Sequence, residues 1–317
     1  MAEAGFDLRG KRVFVAGHRG MVGSACVRRL EREGCVIVSA GRDRLDLIRQ
    51  ADVEAFMRTE RPEVVVLAAA KVGGILANDS YPADFLYENL MIEANIIAAA
   101  HRVKVQKLLF LGSSCIYPRE APNPIREDSL LTGPLEPTNE WYAIAKIVGI
   151  KLCQAYRKQH GADFISAMPC NLYGPNDYFH PERSHVIPAL LRRFHEAARR
   201  DDAAVTCWGT GTPRREFLHV DDLADACVHL LSHYSAPEHV NIGTSTDITI
   251  RELSETIARV TGFAGRIEWD RSKPDGTMLK RMDTARMEAM GWRARIGFEA
   301  GLAATYQWFL EQQSLRV

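Results

Sequence analysis

In RVFVAGHRGMVGSACVRRLERE, residues 12–33, a short apolar run meets a glycine-punctuated turn and then a helical pattern. Val13, Phe14 and Val15 are β-formers. Gly17-His18-Arg19-Gly20-Met21-Val22-Gly23 follows, with its three glycines spaced by two. Glycines at that spacing let the backbone turn tightly, approach a pyrophosphate closely and pack the helix on the strand, with the phosphate at the helix N-terminus. A plain glycine-rich turn has the same letters. The strand before and the helix after favour a dinucleotide-binding turn.

Outward from this unit the alternation continues: CVIVSAG (35–41), EVVVLAAA (63–70), FLYENLMIEANIIAAAHR (85–102) and KLLFLGSS (107–114). Strands alternating with helices imply right-handed crossovers and a parallel sheet covered on both faces. The expected class is α/β, a Rossmann-type doubly wound sheet. A helix is expected from Tyr142 to about Gln159, then a strand at FISAMP (164–169). Residues 171–215 are rich in Pro, His, Gly and Arg, whereas EFLHVDDLADACVHLL (216–231) is another strand-then-helix unit. The expected division is a nucleotide-binding domain over 1–170, with 216–243 returning to it. A smaller mixed α/β lobe over 171–215 and 244–317 caps the ligand edge of the sheet.

Composition narrows the partners. Of 317 residues 46% are hydrophobic, enough for a large core, and 40 basic residues balance 40 acidic ones. No global field favours nucleic acid or an anionic membrane, so any anion must be bound locally. The apolar stretch VVVLAAAKVGGILA is broken by Lys71 and paired glycines and falls short of a membrane span. No secretory leader is expected from the start of the chain. Seven cysteines without a CxxC pair suggest reduced thiols and a cytoplasmic protein.

Arg42 follows the second strand, where an acidic residue would grip a ribose 2′-hydroxyl and an arginine suits a 2′-phosphate. With Arg19 it is read as a phosphate clamp, which favours NADP(H); Asp43, on a shifted register, would serve the opposite selectivity. Tyr142 and Lys146 lie i and i+4 on one helical face. The expectation is that the ammonium lowers the phenol pKa toward working pH for acid or base catalysis.

The glycine turn, Ser113 and YAIAK together make the chain resemble the extended short-chain dehydrogenase/reductase family over nearly its whole length. AGHRGMVGSA, LAAAKVGGI, GSSCIYP, EPTNEWYAIAK, NLYGPND, FHPERSHVIPALLRRFHEA, WGTGTPRREFLHVDD and SKPDG narrow the resemblance to members that epimerise and reduce GDP-bound 4-keto sugars. That resemblance implies Ser113, Tyr142 and Lys146 as the carbonyl-reducing set, with Cys115 as base and His185 as acid for epimerisation at C3 and C5. It implies cofactor contacts from Gly17, His18, Arg19, Gly20, Met21, Val22, Gly23, Arg42, Lys146 and His185. It also implies a GDP-sugar held by Asn171, Arg193, Trp208, Arg215 and Lys280, and a homodimer built through 84–101 and 142–158.

Other readings of these residues remain. Without the resemblance Cys115 reads first as a small buried hydrophobe, the usual fate of a lone cysteine, while Trp208 also reads as packing, and Arg192 and Arg214 equally as solvated charge. Asp221-Asp222 suits a helix start. His180 and His185 have no third ligand at zinc spacing, so no metal is expected. Members acting on a 3,6-dideoxy or heptose 4-keto sugar would use the same residues, and a non-catalytic NADP(H) or nucleotide-sugar sensor is the alternative of another class.

Overall fold

The computed structural model describes residues 5–180, 184–273 and 275–312; residues 181–183 and 274, inside two of the strings above, lie outside this range. The chain runs β1 (Arg12–Ala16), α1 (Met21–Arg32), β2 (Val36–Val38), α2 (Gln50–Glu60), β3 (Val64–Leu67), α3 (Ile75–Ser80), α4 (Pro82–Arg102), β4 (Lys107–Leu111), α5 (Glu140–His160) and β5 (Phe164–Pro169). It continues through β6 (Asn171–Tyr173), α6 (Val186–Arg200), β7 (Ala204–Trp208), β8 (Arg214–Arg215), β9 (Phe217–His219), α7 (Val220–His233) and β10 (Val240–Ile242). The last part contains β11 (Ile248–Thr249), α8 (Ile250–Thr261), β12 (Arg266–Asp270), β13 (Leu279–Lys280), α9 (Ala285–Ala289) and α10 (Phe298–Glu311).

Six strands form a parallel sheet in the order β10-β5-β4-β3-β1-β2. β3 and β4 are buried along their whole length, which is why they read as unbroken apolar runs rather than alternating ones. α4 packs on α2 and α5, while α1 packs on α7, so helices cover both faces. The strand order reverses between β1 and β3, and the crevice at their carboxyl ends is where such sheets bind ligands.

A second core, centred on Phe179, Leu191, Phe194, Leu253, Ile257 and Phe309, forms the smaller lobe. β12 pairs with β7 there, and β8 lies between β11 and β13. The segment 244–317 is not all lobe: Met282, Met287 and Trp292 join the core of the large sheet. Trp292 Nε1 ties the segment down by donating to Asp225 at 2.9 Å. Conversely Phe217, expected in the nucleotide domain, packs into the second core.

Candidate active site

The turn after β1 depends on its glycines. Gly17 has φ +88°, a region where L side chains are strained, and a Cβ there would lie 2.9 Å from the Ala69 backbone. A Cβ on Gly23 would collide with the Gly17 carbonyl oxygen. Gly20 donates its N–H to that same oxygen at 2.9 Å and caps α1 without a side chain, and no acidic residue occupies the first turn. The helix therefore presents unclaimed amide N–H groups and a positive end, which fits a pyrophosphate. The Arg19 guanidinium and the Asp43 carboxylate both lie against Gly41 at the tip of β2, and Arg42 beside them is exposed. Burial, and then the neighbouring Arg19, push the His18 imidazole below its ordinary pKa.

A second group forms where β4 ends. Ser113 is extended, and its hydroxyl accepts from the Cys115 N–H at 3.3 Å and lies beside the Tyr142 phenol, whose pKa it works to lower. Ser114 is buried in the short turn that follows. The Cys115 thiol stays half-buried and accepts from Asn139 Nδ2 at 3.5 Å. Asn139 stands at the N-cap of α5 but makes no side-chain cap there and turns to the thiol instead.

Lys146 does not act on Tyr142 as expected. Its Nζ is buried, donates to the Leu111 carbonyl at 3.1 Å and lies 2.9 Å from Glu93 Oε1. The Tyr142 pKa is raised, not lowered: burial comes first, then Cys115 and Glu93, against which the Ser113 hydrogen bond works. The cation is offset by a carboxylate that residue spacing along α5 could not reveal. An acidic residue inside the apolar run IEANIIAAA was the available signal, because an unpaired buried carboxylate is too costly to keep.

His185 stands apart, at the N-cap of α6 on the lobe side. It is exposed to solvent, and partial desolvation by neighbouring protein atoms pushes its pKa below the ordinary value. No hydrogen bond joins it to Cys115 or Tyr142 among the described residues.

In the lobe, Lys280 is the register partner of Arg215 across β13 and β8. Arg215 is half-buried, its Nη1 donates to the Arg214 carbonyl at 2.8 Å, and it has no carboxylate partner among the described residues. Arg193 donates to the Thr206 carbonyl at 2.9 Å, and Trp208 is exposed with Lys273 over its ring. Asn171 donates to the Glu216 carbonyl at 2.9 Å. Arg192 pairs with Glu196, and Arg214 with Asp247, so both do structural work. Asp221 and Asp222 open α7 and are likewise engaged, by Arg28 and by the Arg295 and Ile296 amides.

A family model described as the NAD dependent epimerase/dehydratase family matches residues 13–243. The chain belongs to this family. Its glycine turn, the Ser113–Tyr142 group and Arg215 fall within the matched span, and Lys280 lies beyond it. A curated relative, GDP-L-fucose synthase of Escherichia coli, is 59% identical over 313 residues, covering 96% of this chain and 98% of the relative. Probable GDP-L-fucose synthase 1 of Oryza sativa is 60% identical over 305 residues, covering 96% and 93%. Among solved structures, a GDP-L-fucose synthetase from Naegleria fowleri bound to NADP superposes with a TM-score of 0.92 at 26% identity, covering 99% of each chain. A GDP-6-OMe-4-keto-L-xylo-heptose reductase from C. jejuni gives 0.90 at 34%, covering 96% and 99%.

Proposed function

We propose that the protein is an NADPH-dependent enzyme converting GDP-4-keto-6-deoxy-D-mannose to GDP-L-fucose, inverting C3 and C5 and reducing the C4 ketone. The observation that carries this reading is the grouping at the end of β4, where the Ser113 hydroxyl accepts from the Cys115 amide and lies beside the Tyr142 phenol, so that a proton donor and a thiol flank one position for a carbonyl. The identity of about 60% to proteins named GDP-L-fucose synthase supports it.

The chemistry follows from the ketone, which acidifies the hydrogens at C3 and C5. Cys115, as thiolate, removes one of these protons and leaves an enolate whose oxygen Ser113 and Tyr142 stabilise. His185 returns a proton to the opposite face of the same carbon, inverting it. In the last step Tyr142 gives its proton to O4. NADPH, when bound, supplies the hydride for C4. Gly17, Gly20 and Gly23 would cradle its pyrophosphate, with His18, Met21 and Val22 along the same turn, and Arg19 and Arg42 would take its 2′-phosphate. Arg215, Lys280 and Arg193 hold the GDP diphosphate, with Asn171 and Trp208 beside the nucleotide sugar.

Product NMR in heavy water tests the reading. Incubation of GDP-4-keto-6-deoxy-D-mannose with NADPH is expected to give GDP-L-fucose carrying deuterium at C3 and C5. A reduced but unepimerised sugar, or deuterium at one centre, would assign the protein instead to a different 4-keto sugar.

The same reading includes a homodimer and a cytoplasmic location. Tyr87 on α4 and Trp141 and Val148 on α5 are large apolar side chains left exposed on neighbouring helices, and a second copy of the chain would cover them. Light scattering at micromolar concentration is expected to give twice the 35.5 kDa chain mass. None of the seven cysteines is in a disulfide, which suits a reducing compartment.

A further inference from the structure

Beneath the Tyr142 ring lies a buried group that no step above uses. Glu93 and Lys146 are 1% and 2% exposed, with Oε1 and Nζ 2.9 Å apart. Neither Glu93 oxygen has a well-aligned hydrogen bond; burial pushes the carboxyl pKa up, and Lys146 is what works against that rise and holds the charge. The Lys146 ammonium sits 4.9 Å from the Phe110 ring centroid and 5.8 Å from that of Tyr142. Space for the carboxylate is made by Gly149, one turn beyond Lys146. A Cβ there would lie 2.7 Å from Glu93 Oε2 and would collide with Phe110. A glycine in a helix interior is less stable than an alanine, so α5 gives up stability at the position that admits Glu93.

We propose that Glu93 is a positioning residue for the reduction: it fixes Lys146 between the Leu111 carbonyl and the Tyr142 ring and offsets its charge there, keeping the Tyr142 phenol in its proton-bearing form. This rests on the reading that Tyr142 donates a proton to the keto oxygen. A donor must hold its proton until hydride arrives, and a bare ammonium beneath the ring would draw that proton off early. The ionisable groups facing this site are Lys146 and Cys153 on α5, Cys115 on the turn after β4, and Glu93 itself on α4. β4 contributes only the Phe110 ring and the Leu111 carbonyl. The raised pKa of Tyr142, to which Glu93 contributes, agrees in direction.

The test compares wild type with Glu93→Gln, which keeps the shape and removes the charge. In full-length protein labelled with 13Cζ-tyrosine, the Tyr142 resonance is identified by its loss in Tyr142→Phe. It is expected to ionise about one to two pH units lower in Glu93→Gln than in wild type. The basic limb of the pH–rate profile for reduction should move the same way, with NADPH affinity within about threefold. Should Glu93→Gln fail to fold, Gly149→Ala, which presses the carboxylate away from Lys146, should shift the same titration in the same direction by less. An unchanged Tyr142 titration overturns the proposal, as does a rate loss equal at every pH alongside a lowered Tm. If wild type does not turn over GDP-4-keto-6-deoxy-D-mannose at all, the functional reading fails, and the tyrosine titration still decides the role of Glu93.

Discussion

Lys280 stands directly across from Arg215 in the parallel pairing of β13 with β8. Two cations brought side by side repel unless something negative lies between them. The nearby carboxylate of Asp247 is already taken by Arg214 and Arg281. Burial lowers the Arg215 pKa, so its charge is poorly solvated, and an anion arriving there would relieve both costs. A diphosphate is the anion that a bidentate guanidinium and an adjacent ammonium suit best.

Arg215→Gln and Lys280→Ala are therefore expected to raise KM for the GDP-sugar more than they lower kcat. A lost hydrogen bond to a charged group corresponds to about tenfold to a hundredfold. Steady-state kinetics at saturating NADPH would check it. Arg214→Gln should instead lower Tm with little change in KM, because Arg214 is already spent on Asp247.

Cys115 and Tyr142 both lie at Ser113, and the proposed mechanism assigns them to different half-reactions. Cys115→Ser is expected to slow deuterium incorporation at C3 and C5 by about 100-fold or more while leaving NADPH binding intact. Tyr142→Phe should slow NADPH oxidation by a comparable factor while exchange at C3 and C5 continues. Parallel NMR exchange and absorbance assays separate the two, and wild-type exchange in Cys115→Ser would return the thiol to a packing role.

Arg19 and Arg42 are both exposed, but the Arg19 guanidinium lies against Gly41 just beyond β2, which is the better position to meet a 2′-phosphate there. Arg19→Ala should reduce the preference for NADPH over NADH by about tenfold or more, the scale of one lost charge-assisted hydrogen bond. Arg42→Ala should have the smaller effect. Dissociation constants for both cofactors, measured by fluorescence quenching, would check the order.

The sheet was legible because fully buried parallel strands such as β3 are written as continuous valines, and the glycine turn because its crowding leaves no alternative residue at Gly23. The pairing of Lys146 was legible only from its other side, as an acid buried in IEANIIAAA that needed some partner. Helical spacing puts Lys146 on the same face as Tyr142, but what the ammonium touches is decided by α4, which lies outside that helix. The return of Met287 and Trp292 to the large core was hidden for a related reason: a short helix in a mixed region carries no mark of which core it joins. Contacts between distant segments are set by packing, and a residue pattern along one element does not encode them.

His239 supplies a dependence of stability on pH that involves no catalytic group. It is 4% exposed, and its Nε2 lies 2.9 Å from the Tyr117 hydroxyl, which itself donates to Asn241 Oδ1 at 2.5 Å. With the phenolic proton committed to Asn241, Nε2 is the donor to Tyr117 and the imidazole is neutral. Burial, then Arg286 and Lys151, depress its pKa from 6.5 to about 4. Below pH 6.5 the unfolded chain binds a proton here that the folded chain refuses until about pH 4. Stability is thus complete above the unfolded value and falls as pH drops through this window, by at most about 3 kcal/mol. Urea unfolding at intervals across the window should show His239→Gln losing a smaller share of its stability than wild type as pH falls. Equal slopes for the two proteins would mean that the imidazole protonates freely in the folded state.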